Sequence, residues 1–457
     1  MSLVSRMFRS GFVGNLGVGF SAQATQLAIQ LVLVPVFSLN WGLDQYGIWL
    51  ILFTVPGYLA MADLGVLPAA ANVMAMHMAR GERTDALATY QALRLLVGAV
   101  NLTIFAVAAL LLFAARPAWL DFAQDATGGQ AGLVVLLLVG YGLLTLQNGV
   151  VAAAYRAVDL YVEMGYGAVA MITLEAVCAA LLVLTGHGMV AVAFGYFAVR
   201  LTGTVVMATI LFFRARWLLA TRRTFARHHL AALVRPALAG IALPVAQAIT
   251  FQGMVMAVGA VAGAAAVPLF TATRTLTRSA LQFTLIVSRA TMPVYTVADA
   301  TGDHAKRLRL LVAALATCLA VLLPFAVIFT VAGQSIIAVW SGGQIVAPVF
   351  VIACLALATV FGGLWNTLGN ALVSINRHGL YAYANVVFAA LSVGAAWLLM
   401  QRFGVAAAGV GPLLLDMAMF AWLLAVAARL RLATRAELTE AFQALPGEIR
   451  SRIGAGR

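Results

Sequence analysis

Runs of twenty or more mostly apolar residues recur along this chain with only short polar breaks, and no other feature constrains its fold so tightly. Such a run matches the roughly 30 Å hydrocarbon core of a bilayer. Inside that medium the backbone must satisfy its own hydrogen bonds, so each run is expected to be a helix. Marking the runs gives twelve expected spans, near 12–38, 46–78, 87–115, 131–155, 162–186, 189–213, 236–262, 267–297, 308–333, 348–375, 380–400 and 405–429. The second and eighth are longer than a bilayer requires and should tilt or kink, with Pro56 and Pro293 as the expected kink sites. Only 9% of the 457 residues are charged and 63% are hydrophobic, against about 25% charged in a soluble domain. The expected fold class is an all-α polytopic membrane protein.

The net charge of +13 raises nucleic-acid binding as an option, and the placement of the charges argues against it. Basic residues gather in the breaks between runs, on alternating sides. With the amino terminus inside, the cytoplasmic segments hold 21 of them: Arg6, Arg9, Arg80, Arg83, Arg156, six from Arg214 to Arg235, Lys306, Arg307, Arg309, Arg377 and six from Arg429 onward. The other side holds two, Arg116 and Arg402, and five lie within spans. Positive charge stays on the cytoplasmic side during insertion, so both termini are expected there, in the inner membrane of a bacterium. Arg6 and Arg9 precede the first run with no small-residue cleavage site, which reads as a retained first helix.

Shifting the chain by 221 residues lays the second half on the first. Gly19 falls on Gly240, Gln26 on Gln247, Arg156 on Arg377, Leu87 on Leu308 and Gly188 on Gly409, while expected helices and breaks coincide throughout. Six spans per half is even, so the halves insert in the same sense as parallel repeats. The expected organisation is a six-helix lobe over 1–213, a basic linker over 214–235, a second six-helix lobe over 236–429 and a charged tail over 430–457.

The breaks carry little chemistry. The longest outer loops expected, Arg116–Gln130 and Gly333–Ala347, are short, and the outer side offers only Asp44, Asp121, Asp125 and His187. A membrane-embedded glycosyltransferase or ligase would need more. No segment has the glycine-lysine spacing of a phosphate-cradling loop. Cys178, Cys318 and Cys354 lie inside apolar runs, and His228-His229 stands isolated in the linker. No catalytic residue, metal or cofactor is expected.

Polar groups at membrane depth are costly and mark function. In the eighth span Arg274, Arg278, Gln282 and Arg289 follow at intervals of four, four and seven, within an arc of roughly 80° on a helix turning about 100° per residue. Lipid does not tolerate such a face, so it should line protein or water. Three like charges gain nothing as packing groups, so the stripe is expected to line a cavity for an anionic guest. The first span carries a milder row, Gln23, Gln26 and Gln30 with Gly19; the fourth carries Tyr141, Thr145, Asn148 and Tyr155; the tenth carries Asn366, Asn370 and Ser374. Glu175 and Arg200 flank the Gly186–Gly188 turn at nearly equal distance, so they reach one depth on adjacent helices, where a structural ion pair is expected. Asp63 and Asp416 have no obvious partner; each fits either a proton-coupling site or a counter-ion for Arg94 or the eighth-span arginines.

Tyr46-Gly47-Ile48-Trp49, then Ala62-Asp63-Leu64-Gly65 and Asn72, resembles the second helix of Wzx-type polysaccharide flippases. Thr273-Arg274-Thr275-Leu276-Thr277-Arg278, with Gln282 and Pro293 beyond, resembles the matching part of their second half. These flippases belong to the multidrug/oligosaccharidyl-lipid/polysaccharide exporter superfamily, and the resemblance spans roughly residues 10–430. It implies two six-helix lobes around a central cavity, like those of the multidrug antiporters. It also implies movement of an undecaprenyl-diphosphate-linked oligosaccharide, an O-antigen or exopolysaccharide unit, from the inner to the outer leaflet by alternating access. The partners it implies are that polyprenyl-diphosphate-linked oligosaccharide, membrane lipids, and a polysaccharide polymerase with chain-length proteins; no nucleic acid is expected. The rivals are a multidrug or cation antiporter of the same superfamily, which would call for acids where this stripe is basic, a glycosyltransferase or ligase, and a scaffold for polysaccharide enzymes.

Overall fold

The computed structural model describes residues 3–60, 65–114, 118–219, 241–374 and 379–430, without the side chains of 3–16, 118, 119, 219, 380 and several residues in 283–293. The described chain is almost wholly helical, and nine of its helical stretches are long and apolar enough to cross a membrane. Two of those nine contain a reversal. Helix α1 (Leu3–Leu52) breaks at Gly42, whose φ of 73° and ψ of 173° leave helical geometry. Across the break the Phe37 ring stands 6.1 Å from that of Trp49 and 5.4 Å from that of Tyr46. Residues twelve apart on an unbroken helix would be about 18 Å apart, so the chain turns back at Gly42. The stretch Tyr381–Arg429 likewise divides at the 3₁₀ turn Gly404–Gly409.

After α1 the first half continues with α2 (Thr54–Leu59), α3 (Val66–Ala79), α4 (Arg83–Ala114), α5 (Ala131–Ala157), α6 (Tyr161–Leu184) and α7 (Met189–Arg214). The second half comprises α8 (Ala242–Ala248), a π turn at Ile249–Gly253, α9 (Met254–Ala262), α10 (Ala266–Ser279), α11 (Leu281–Ala300), α12 (His304–Trp340), α13 (Val349–Ser374), α14 (Gly379–Phe403) and α15 (Val410–Arg429). Two compact units result, Met1–Ala248 and Ile249–Arg457. The expected linker 214–235 lies mostly outside the described residues, and the tail 430–457 does so beyond Leu430.

Each unit is organised around one central helix. In the first, α5 packs on α2, α3, α4 and α7; in the second, α13 packs on α10, α11, α12 and α15. Small residues on these two helices admit their neighbours closely, as membrane packing favours. A Cβ on Gly142 would lie 3.0 Å from Leu59, and one on Gly363 only 2.3 Å from Leu322. The order of helices repeats between the two halves at the 221-residue shift. Positive-φ glycines fall on one another under it, Gly42 on Gly263 and Gly81 on Gly302, because each turn needs a conformation that side chains disfavour.

Three expectations need correction. The second expected span breaks at Phe53, one turn ahead of the expected kink site Pro56, continues as the short helix α2, and begins again as α3 after Gly65 (φ 78°). The eighth is divided at Ala280 into α10 and α11, with Pro293 inside α11. The ninth does not stop at Gly333: α12 runs on to Trp340 over 37 residues, because Gly333 packs directly on Ile352 and Gln334 Nε2 donates to the Ala347 carbonyl at 3.3 Å.

Candidate functional site

Helix α10 sets the site in the second unit. Val267, Phe270, Thr273, Leu276 and Thr277 are buried along it, leaving Arg274 and Arg278 partly exposed. The threonines cost little there, since Thr273 Oγ1 and Thr277 Oγ1 donate to carbonyls one turn back at 2.7 and 2.9 Å. The two guanidiniums, one turn apart, then diverge. Arg274 lies between two phenyl rings, its Cζ 5.0 Å from the centroid of Phe251 and 5.3 Å from that of Phe270. Its Nη1 also donates at 3.4 Å to the Phe251 carbonyl, in the π turn Ile249–Gly253, a backbone irregularity often found at functional sites. Among the described residues no carboxylate pairs with Arg274.

Arg278 has a carboxylate. Its Nη1 donates to Asp416 Oδ2 at 3.1 Å, while Trp365 Nε1 donates to Asp416 Oδ1 at 2.7 Å. Asp416 is 1% exposed and Arg278 21%. The carboxylate fits because Gly362 faces it; a Cβ there would sit 3.4 Å from Oδ2. Two of the stripe's three arginines are thus held differently, Arg274 lodged among aromatic rings and Arg278 paired with Asp416, one of the counter-ion roles the sequence left open for that acid. Gln282, one turn further, has a buried Oε1 with no hydrogen-bond donor among the described residues. The side chain of Arg289 lies outside the described residues.

In the first unit Arg200 meets Glu175 with both side chains under 10% exposed, Nε–Oε1 at 2.7 Å and Nη2–Oε2 at 2.8 Å. Tyr141 closes the group: Arg200 Nη2 donates to its hydroxyl at 2.8 Å, and the hydroxyl donates to Glu175 Oε2 at 3.2 Å. The rings of Phe53, Tyr141, Tyr196 and Trp49 pack on one another, tilted or edge to face, at centroid separations of 5.2–6.0 Å.

The remaining polar candidates are dispersed. On α1, Gln23 is partly exposed and Gln26 and Gln30 are exposed. Asn148 is buried with an unpartnered Oδ1. Asn370 lines a cavity of about 20 Å³ with Tyr295, Thr367 and Ser374, room for a water molecule. Arg94 is exposed, and Asp63 lies outside the described residues. His77, Glu82 and Asp85 bring one potential ligand atom each within 4.8 Å of one another; His77 Nδ1 lies 2.7 Å from Glu82 Oε2, a contact that closes the turn at Gly81 between flanking Arg80 and Arg83.

Sequence reasoning missed Phe251, Phe270 and Trp365. Phenylalanine in a membrane helix carries no signal of its own, and Trp365 was hidden beside the more conspicuous Asn366.

No family model and no curated protein sequence matches this chain. Solved structures do. A multidrug resistance MATE family transporter of the MOP superfamily, in an inward-facing conformation, matches with a TM-score of 0.68 at 16% identity, over 91% of this chain and 96% of that one. The lipid II flippase MurJ, in an inward closed conformation, matches with a TM-score of 0.69 at 9% identity, over 94% and 90%. An outward-facing MATE family transporter of the MOP superfamily matches with a TM-score of 0.58 at 15% identity, over 93% and 94%. The chain shares the fold of these membrane transporters.

Proposed function

We propose that this chain is a flippase that moves an undecaprenyl-diphosphate-linked oligosaccharide from the inner to the outer leaflet of a bacterial inner membrane by alternating access. The observation that carries the reading is Arg274, a cation on α10, within the expected eighth span, placed between Phe251 and Phe270 with no carboxylate partner among the described residues. A diphosphate on a lipid anchor must cross a medium where an unpaired charge is very expensive. A guanidinium answers that need, because its planar fork can donate two hydrogen bonds to phosphate oxygens. Arg278 adds a second fork one turn away, and Gln282, Gln23, Gln26, Gln30, Asn148 and Asn370 are candidate partners for sugar hydroxyls, with Arg289 a candidate for capture of the headgroup. An inside-negative potential of 100 mV favours outward movement of each anionic charge by about 2.3 kcal/mol. The fold shared with a lipid II flippase is consistent with a lipid-linked guest.

The same fold serves multidrug transporters, so fold does not separate the two readings. Charge supports the anionic guest: a cationic drug calls for free acids, whereas the buried acids described, Glu175 and Asp416, are each held by an arginine. Arg274→Ala is the test. Export of polysaccharide should fall to background while the amount of protein in the membrane stays near wild type, and Arg274→Lys should restore only part of it, keeping charge but losing the fork. Wild-type export by Arg274→Ala would remove the diphosphate reading.

A further inference from the structure

Among the described residues each unit has one buried carboxylate that pairs with an arginine and accepts from an aromatic donor, and the two pairs differ in access. In the first unit Arg200 is 9% exposed and is held by Glu175 at two nitrogens. In the second, Asp416 is 1% exposed, but its cation Arg278 is 21% exposed and donates through one nitrogen, Nη1 at 3.1 Å. The second pair thus has a sealed carboxylate and a guanidinium with donors to spare, one turn from Arg274.

Consider a diphosphate reaching Arg274, the guest being the one proposed above. Arg278 lies one turn away with like charge, so the same oxyanion attracts it, and a phosphate oxygen competes with Asp416 Oδ2 for its N–H groups. Losing Arg278 would leave Asp416 as a buried anion held by the Trp365 indole alone. Among the described residues no other charged group pairs with it: α13 brings Trp365 and the Gly362 backbone, α10 brings Arg278, and α14 and the Gly404–Gly409 turn bring no ion-pair partner. An unpaired buried carboxylate is relieved most cheaply by neutralisation.

We infer that Arg278 is a shared cation, held by Asp416 in the empty carrier and drawn off by the oxyanion of the guest, and that Asp416 then takes one proton from solvent, so that this carboxyl is a proton-binding site linked to substrate. The exchange balances. Oδ2 loses the Arg278 hydrogen bond and gains a proton from solvent, Oδ1 keeps the Trp365 bond, and the released Arg278 N–H donates to a phosphate oxygen of the guest. The only covalent bond formed is that O–H.

The test uses the full chain in lipid nanodiscs, with farnesyl diphosphate as the probe. Calorimetric titration in buffers of differing ionisation enthalpy counts protons taken up per probe bound. The diphosphate can itself exchange protons, and the difference between wild type and Asp416→Asn removes that contribution. Wild type should take up close to one more proton than the variant, and the variant should bind about tenfold more tightly because it gives up no charge-assisted bond. Difference infrared spectroscopy on the wild-type protein supplies a readout that survives if Asp416→Asn does not fold: the probe should raise a protonated-carboxyl C=O band, and inorganic sulfate at the same charge should raise a weaker one. Binding that weakens in Arg274→Ala but raises no carboxyl band and no proton difference overturns the shared cation and leaves the flippase reading standing. Failure of the probe to bind wild type, or equal binding by Arg274→Ala, overturns the diphosphate reading and this inference with it.

Discussion

Splitting the Glu175–Arg200 pair tests whether the first unit's buried charges hold the fold or serve transport. Glu175→Gln leaves Arg200 with a neutral amide and the Tyr141 hydroxyl in a site where both partners were under 10% exposed. Arg200→Gln leaves Glu175 with the Tyr141 hydrogen bond at 3.2 Å. Removing one member of a buried pair costs about 3–5 kcal/mol, mostly as the penalty on the charge left behind. The double change leaves no charge, and two amides beside Tyr141 should cost about 1–2 kcal/mol. On those figures the cycle should return an interaction energy of at least about 4 kcal/mol, above the range of about 0.5–3 kcal/mol usual for groups in contact. Tyr141→Phe should cost about 1 kcal/mol, since the direct Arg200–Glu175 contacts at 2.7 and 2.8 Å survive it. Stability is read by titration with a denaturing detergent and by the monodisperse fraction after heating. Single variants as stable as wild type, yet unable to export polysaccharide, would refute a structural role and place the pair in the transport cycle.

Other outcomes follow from topology and backbone. Reporter fusions after Arg116 and Arg402 should read as outside and fusions after Arg223 and Lys306 as cytoplasmic; an outside signal at Arg223 would end the arrangement with both termini inside. Gly42→Ala and Gly263→Ala force a Cβ into φ of 73° and 84° and should each cost about 1 kcal/mol in the same detergent titration, whereas Gly98→Ala, in a helix with open space around it, should be neutral or stabilising. Tyr295→Phe removes a buried hydroxyl without a partner among the described residues and should leave stability within about 0.5 kcal/mol of wild type; a larger loss would mean that a water bridges it in the cavity shared with Asn370.

The helices were legible because a bilayer demands long apolar runs, and the two turns at Gly42 and Gly263 coincide because the halves repeat. Interruptions not marked by proline or glycine were not legible: Ala280 divides the eighth span with helical dihedrals of −62° and −24°, and the π turn at 249–253 has no composition cue. The extension of α12 past Gly333 depends on Ile352 packing onto that glycine, a contact periodicity does not encode. For Glu175 and Arg200, equal depth on helices joined by a tight turn was enough to suggest contact. Arg278 and Asp416 are 138 residues apart, and their meeting depends on helix rotation and on the space that Gly362 leaves. So the basic face could be read from spacing, whereas the difference between an aromatic-flanked Arg274 and an acid-held Arg278 could not.

The central claim is that this chain carries a lipid diphosphate across the bilayer with Arg274 on its headgroup. The direct measurement reconstitutes the purified protein in liposomes with a fluorescent polyprenyl-diphosphate oligosaccharide and follows quenching by a membrane-impermeant reductant. Wild type should make inner-leaflet lipid accessible well above protein-free vesicles, and Arg274→Ala should match the protein-free rate. Transport of a cationic dye with no movement of the lipid, or equal movement by Arg274→Ala, would contradict the account.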